Sequence, residues 1–244
     1  TIPPISIMTT SKSMLITAPD THPATALAAK IDHTLLTPTA TSEQIVTLCE
    51  EAVEWGFASV CIPPVHVPLV VQRLYGSTVK VGSVVGFPCG YTSLRQKVQE
   101  AADLVAAGAE EIDMVMALTY LFENRFDRLE EEIAQVVMAS RPACVKVIIE
   151  CCYLDRAQKI AATRTIVRAG ADFVKTSTGF GSSGAVAEDI LLLAQAAEGR
   201  IGVKAAGGIR TLKACKEMIV AGATRIGTSS GVRIIGELTT AGAA

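Results

Sequence analysis

With 244 residues and a formal net charge of −2, spread over 22 basic and 24 acidic side chains, the chain offers no electrostatic case for nucleic acid or an acidic membrane surface. Half the residues are apolar and 19% are charged, as suits a sheet buried on both faces, and no apolar run is long enough to span a membrane. Seven cysteines without CxxC spacing argue against a disulfide framework or zinc ribbon; they read as reduced cytosolic thiols, most of them small buried hydrophobes.

The opening segment, residues 1–24, is rich in Thr, Ser and Pro and lacks a continuous apolar stretch. It reads as a flexible N-terminal extension to one domain over 25–244. Short β-branched runs then alternate with longer helical patterns. Strands are predicted at 31–36 (IDHTLL), 57–62, 79–87, 111–116 (EIDMVM), 144–150 (CVKVIIE), 172–177 (DFVKTS), 201–206 (IGVKAA) and 224–229. Between them, 41–56 opens with a Ser/Thr cap and an early Glu and closes on Gly, and 93–108 also ends on Gly. Eight strand–helix units predict an α/β architecture with parallel strands. With no GxGxxG after the first strand, a single closed (β/α)8 TIM barrel is favoured over an open doubly wound sheet.

Aligning Gly56, Gly108, Gly170 and Gly222, which close successive even helices at spacings of 52, 62 and 52 residues, exposes a repeat of paired units. Five residues beyond each glycine stand Cys61, Asp113, Lys175 and Gly227. Alternate barrel strands supply one layer of inward side chains, so Asp113 and Lys175 should face each other across the interior. Val–Lys pairs at 145–146, 174–175 and 203–204 recur every 29 residues, which predicts three lysines at one height on neighbouring strands. A strand lysine ordinarily faces solvent or snorkels from an edge. On a barrel strand the outer face is covered by helices, so the amines are expected inside, with Asp113 as counter-charge.

A lysine is nucleophilic only when neutral, and at an unperturbed pKa near 10.4 fewer than about one in a thousand is neutral at pH 7. Burial and a neighbouring cation both favour the neutral amine. The arrangement therefore suits Schiff-base formation with a carbonyl substrate, with Asp113 shuttling protons, through a water, as general acid and base. Loops at 176–184 (TSTGFGSSG), 205–211 (AAGGIRT) and 227–233 (GTSSGVR) place Gly and hydroxyl residues at strand C-termini, where backbone N–H groups can cradle a phosphate without a metal. One such loop is more often only a turn; three beside the lysine strands favour phosphate binding. His22, His33 and His66 are isolated, without HxH or HExxH spacing, and no GxSxG elbow is present, so neither a metal nor another cofactor is expected.

From Ile31 to Gly236 the chain resembles the deoxyribose-phosphate aldolases of the class I, metal-independent type, through IDHTLL, VGFPCG, EIDMVM, VKVIIE, FVKTSTGFG, VKAAGGIRT and GTSSGV. The resemblance implies that Lys175 forms the Schiff base, that Lys204 is the second lysine keeping it neutral, and that Asp113 relays protons. By the same resemblance Asp32, Thr34 and Lys146 line the pocket and Cys61 forms part of its wall. Thr178, Gly179, Gly207, Gly208, Arg210, Ser229 and Ser230 fall in the substrate- and phosphate-binding segments. The implied substrate is a small phosphorylated sugar, 2-deoxy-D-ribose 5-phosphate, cleaved reversibly to acetaldehyde and D-glyceraldehyde 3-phosphate by a cytoplasmic homodimer in deoxynucleoside breakdown. The chain departs from the pattern at Ala117, where an Asn is usual, and at Phe180, where some members carry a phosphate-binding lysine. Its last tyrosine is Tyr153, so either a water takes the proton-transfer role of a C-terminal tyrosine or turnover is slower. Another Schiff-base aldolase of the same fold, or a phosphate-binding barrel without lysine catalysis, remains an alternative, since fold does not fix substrate.

Overall fold

In the computed structural model, which describes residues 23–241, eight strands follow one another: β1 Ile31–Thr34, β2 Ser59–Ile62, β3 Lys80–Val85, β4 Glu111–Val115, β5 Cys144–Ile148, β6 Phe173–Lys175, β7 Gly202–Ala206 and β8 Arg225–Thr228. Each pairs in parallel with the next, and β1 also pairs with β8, Asp32 opposite Gly227, so the sheet closes into a barrel. Every predicted strand is present, one to three residues shorter than expected because its ends bend into loops. The helices are α1 Pro23–Ala28, α2 Ser42–Trp55, α3 Val67–Arg73, α4 Leu94–Ala106, α5 Leu118–Phe122, α6 Phe126–Ser140, α7 Arg156–Arg168, α8 Ala187–Ala197, α9 Leu212–Val220 and α10 Gly231–Ala241. The predicted extension lies outside the described residues except for Pro23 and Ala24, which open α1. No helix among the described residues is long and apolar enough to cross a membrane.

Local chemistry fixes where the helices start. At α2 the Thr41 hydroxyl accepts the Gln44 N–H at 3.3 Å while the Gln44 side chain accepts the Thr41 N–H at 3.0 Å, a reciprocal cap that satisfies two otherwise orphaned donors. Ser93 with Gln96 and Asp155 with Gln158 repeat the device at α4 and α7. Alternation along the strands then separates two interiors. Outward residues such as Val60, Ile62, Ile112, Met114, Val145 and Val147 are buried in one apolar cluster with Ile45, Leu48, Leu104, Ile133 and Ile166 of the helices. The inward set carries the charges: Asp32, Glu111, Asp113, Lys146, Lys175, Lys204 and Arg225 form one network of ion pairs inside the barrel.

The lysines do not all stand at one height. Lys175 is the register partner of Lys204, but Lys146 lies opposite Phe173, and Ile148 opposite Lys175. Lys146 is thus one inward layer deeper than the equal sequence spacing predicts. The stagger between neighbouring strands that barrel closure demands adds a register shift that sequence spacing does not record.

Candidate active site

At the bottom of the interior, charges are stacked on an aromatic plug. The Arg225 guanidinium lies 5.5 Å from the centroid of the Phe173 ring, which fits inside because Gly202 has no Cβ to meet it. The same Arg225 nitrogen donates to Asp32 Oδ1 at 2.6 Å and to both Glu111 oxygens at 3.2 Å, and the Ser59 hydroxyl also donates to Asp32 Oδ1, at 2.7 Å. Lys146 Nζ bridges upward, 2.6 Å from Glu111 Oε2 and 3.1 Å from Asp113 Oδ1.

Above it, Asp113 is the hub. Its Oδ2 accepts from Lys175 Nζ and from Lys204 Nζ, each at 2.7 Å, and the Cys61 thiol stands 4.0 Å away. Lys204 Nζ also reaches Asp32 Oδ2 at 2.5 Å. The side chains of Lys146, Lys175 and Lys204 are at most 3% exposed, so water cannot screen them. Gly227 completes the layer: a Cβ there would stand 3.0 Å from Lys204 Cε. The predicted layer of Cys61, Asp113, Lys175 and Gly227 therefore converges, with Lys204 added to it.

The electrostatics follow from this packing. Burial pushes the Asp113 carboxyl up, but Lys146, Lys175 and Lys204 outweigh it and hold it well below the usual carboxylate range. Asp32 is held low in the same way against burial by Lys204, Lys146 and Arg225. Burial disfavours the Lys204 cation, yet Asp113 and Asp32 prevail and raise it to about 12; Lys146 is raised well above the ordinary lysine value by Asp113, Asp32 and Glu111. Burial, helped by Asp113, raises the Cys61 thiol to about 11. Four cations thus meet three carboxylates. Among the described residues Lys175 has one carboxylate partner, Asp113, which it shares with two other lysines.

A cavity of about 380 Å³ opens over this layer at the C-terminal ends of the strands. Thr34, Lys175, Thr178, Gly179, Gly207, Gly208, Arg210 and Ser229 line it. Gly207 and Gly208 hold φ of 91° and 78°, a left-handed pair that only glycine adopts without strain. Asp32, Lys146, Asp113 and Lys204 lie beneath the cavity floor rather than on its wall, and Cys61 sits beside them. Ser230 does not line the cavity; its N–H donates to Thr228 Oγ1 at 2.9 Å as α10 begins. Phe180 does line it, half exposed, its ring edge-on to Phe87 at 5.4 Å. Tyr153 is not on the wall.

Two structural carboxylates, Glu150 at the end of the VKVIIE stretch and Glu132, have no role assigned to them by the sequence pattern. Glu150 is buried with φ 49°, a left-handed conformation unusual outside glycine. Its carboxylate accepts the Thr178 hydroxyl and, at 3.3 Å, the Thr178 N–H; Thr178 Oγ1 in turn accepts the Phe180 N–H at 3.0 Å. The loop after β6 therefore hangs from Glu150. Behind β4, buried Lys97 donates to Glu132 Oε1 and to the Val115 carbonyl, both at 2.8 Å, while Glu132 Oε2 accepts the Ala117 N–H at 2.8 Å. Glu111 and Arg225 did have a legible signal, since each precedes an inward residue, Asp113 or Gly227, by two positions on the same strand face.

Comparison with known proteins converges on one family. The DeoC/LacD family aldolase model matches residues 26–236. The deoxyribose-phosphate aldolase of Syntrophotalea carbinolica is 54% identical over 208 residues, covering 85% of this chain and 94% of that protein. The enzyme of the same name from Deinococcus radiodurans is 50% identical over 210 residues, covering 86% and 96%. Among solved structures, the tetrameric deoxyribose phosphate aldolase from Aeropyrum pernix superposes with a TM-score of 0.83 at 36% identity, covering 88% of this chain and 92% of that one. On the matched length, the identity and the shared barrel, the chain belongs to the DeoC/LacD family of aldolases, which are lyases.

Proposed function

We propose that this enzyme reversibly cleaves 2-deoxy-D-ribose 5-phosphate to acetaldehyde and D-glyceraldehyde 3-phosphate through an imine on Lys175. The observation that carries the reading is the charge count: four cations share three buried carboxylates, and Lys175 has the smallest claim on any of them. Releasing one proton from Lys175 leaves the interior neutral, which a site shielded from water favours. Lys204, held protonated by Asp113 and Asp32, stays as the cation beside it.

The neutral Lys175 amine adds to the aldehyde carbon of the open-chain sugar, and the carbinolamine hydroxyl takes up the proton that Lys175 had released and leaves as water, giving an iminium ion. The C2–C3 bond then breaks, its electrons pass to the iminium as an enamine, and the C3 hydroxyl gives up its proton as D-glyceraldehyde 3-phosphate forms. A water on the cavity side of Asp113 accepts that proton and returns it to the enamine carbon, and hydrolysis frees acetaldehyde and the amine. Asp113 is a weak base while three lysines surround it.

The substrate's phosphate is assigned to the side of the cavity formed by Gly207, Gly208, Ser229 and the start of α10, with Arg210 at the rim. Exposed N–H groups there suit a dianion. Thr34 and Thr178, which line the cavity, are assigned to the sugar hydroxyls. Asp32 and Lys146 act from beneath, by fixing the ionisation of Lys204 and Asp113. In deoxynucleoside breakdown both products would enter central carbon metabolism, in the cytoplasm. A homodimer is the assembly inferred from the prevalence of two-fold symmetry.

Incubation with acetaldehyde, reduction with borohydride and peptide mapping test the mechanism directly. A single ethyl group on Lys175 is the expected product. Labelling scattered over surface lysines, with no adduct on Lys175, would instead favour a phosphate-binding barrel without lysine chemistry.

A further inference from the structure

His33, an isolated histidine in the sequence, stands between two site residues and points the other way. Asp32 before it joins the interior charges and Thr34 after it lines the cavity, so alternation turns the His33 ring to the outer face of β1. Its register partner on β8 is Thr228, three residues before Gly231, which opens α10. A Cβ on Gly231 would stand 2.9 Å and 3.0 Å from two Phe57 ring atoms and 3.1 Å from His33 Nδ1. The φ of Gly231 lies outside the left-handed region, so this position uses the missing side chain and not a glycine backbone. The first turn of α10 thus rests directly on a shelf of two rings, His33 and Phe57, with centroids 5.0 Å apart.

Glu51 on α2 ties the shelf in place. His33 Nε2 lies 2.7 Å from Glu51 Oε2, and the ring also borders a cavity of about 260 Å³ with Gln44, Thr47 and Ser229, into which it could turn without that tie. In the neutral ring Nε2–H donates to Glu51 and Nδ1 carries a lone pair, buried and without a hydrogen-bond partner among the described residues. A hydrocarbon would fill the space without burying an unpaired nitrogen. What the nitrogen faces is the positive end of the α10 dipole, which favours a lone pair.

We propose that His33, tied by Glu51 and packed on Phe57, is a positioning residue for the substrate's phosphate. The shelf sets the height of the first N–H groups of α10 and, with it, the preference for a phosphorylated sugar. This rests on the phosphate placement given under the proposed function. Thr228 fixes the same turn from the other side, its hydroxyl donating to the Ile209 carbonyl at 2.6 Å and accepting the Ser230 N–H at 2.9 Å. A shift of the shelf therefore tilts the turn about that anchor and displaces its N–H groups relative to Gly207 and Gly208.

The test is the ratio of kcat/KM for 2-deoxyribose 5-phosphate to that for unphosphorylated 2-deoxyribose, which a loss of folded enzyme does not move. Gly231→Ala should lower the ratio about tenfold, roughly the worth of one charge-assisted hydrogen bond. Adding Phe57→Leu, which removes ring atoms that the new methyl meets, should restore most of it. Glu51→Ala, at a partly exposed position, should lower the ratio about fivefold, whereas Glu51→Gln still accepts the Nε2–H and should hold it within about twofold. The Kd of inorganic phosphate, read without turnover from the amide NMR shift of Val232, should rise by the same factors. Equal losses for both sugars, with the ratio and the phosphate Kd unchanged, would make the shelf purely structural and overturn the proposal. A wild-type ratio near one, with no phosphate shift at Val232, would overturn the phosphate placement itself and the role of the shelf with it.

Discussion

Lys175 and Lys204 are register partners on adjacent strands, and both amines reach the same oxygen, Asp113 Oδ2, at 2.7 Å. Two ammonium groups sharing one acceptor oxygen repel, and only one of them, Lys204, has a second carboxylate in Asp32. Lys175 is therefore the amine with the least carboxylate support. Lys204→Met removes one cation and leaves three against three, so Lys175 should keep its proton. Adduct formation with acetaldehyde at pH 7 should fall about a hundredfold, with its acid limb displaced to higher pH. The rate of borohydride-trapped adduct as a function of pH measures this, and an unchanged profile would remove Lys204 from the mechanism.

Stability should have a plateau set by the buried groups. Asp32 and Asp113 titrate lower in the fold than their usual value of 3.8, so their contribution is present above that pH and is lost as pH falls through the folded values. Lys204 titrates at about 12 in the fold against 10.5 when free, so its contribution is full below 10.5 and is lost as pH rises toward 12. The thiols act earlier. Burial raises Cys49, Cys61, Cys144 and Cys215 from 9.0 to about 11, so the unfolded chain sheds protons first and stability declines above pH 9. Tm against pH should be flat from about 4 to 9 and fall on both sides. A Cys61→Ala variant should keep more of its Tm between pH 9 and 11, and no difference there would contradict the burial-driven shift.

That part of the site was legible because a closed barrel repeats itself. Counting from the helix-closing glycines picks out Cys61, Asp113 and Lys175 at one depth, and helices covering the outer face of a barrel leave its interior as the place for the charges. The height of Lys146 was not legible, because strand stagger is set by closure of the whole sheet and not by any local spacing. Glu150 was not legible for a different reason. Its importance lies in a left-handed backbone that turns the carboxylate toward Thr178, and side-chain pattern does not encode that turn.

Glu150 supplies the next test. Its strain has no compensation in an ion pair among the described residues; what it gains is the anchoring of Thr178 and, through it, of Phe180. Glu150→Gln keeps the shape but replaces charge-assisted hydrogen bonds with neutral ones, a difference of about 1–2 kcal/mol. The loop carries Gly179 and the cavity wall, so KM for the sugar phosphate should rise about tenfold while the yield of Lys175 adduct with acetaldehyde holds. A fall in kcat with unchanged KM would place Glu150 in the chemistry instead of in loop positioning.

The Lys97–Glu132 pair makes the last prediction, because it ties the end of β4 to α4 and α6 just beyond Asp113. Both side chains are at most 1% exposed, and between them they hold the Val115 carbonyl and the Ala117 N–H. Burial pushes the Lys97 amine below its usual value, and Glu132 recovers part of that loss. Removing one partner strands a charge, so Lys97→Met or Glu132→Leu alone should cost about 3–5 kcal/mol. The double variant strands no charge and should cost less than the sum, leaving mainly the two unsatisfied backbone groups. Because those groups lie within four residues of Asp113, the double variant should regain stability without regaining full kcat. Denaturant melts combined with kcat across the four-member cycle would show it; full activity in a stable double variant would make the pair purely structural.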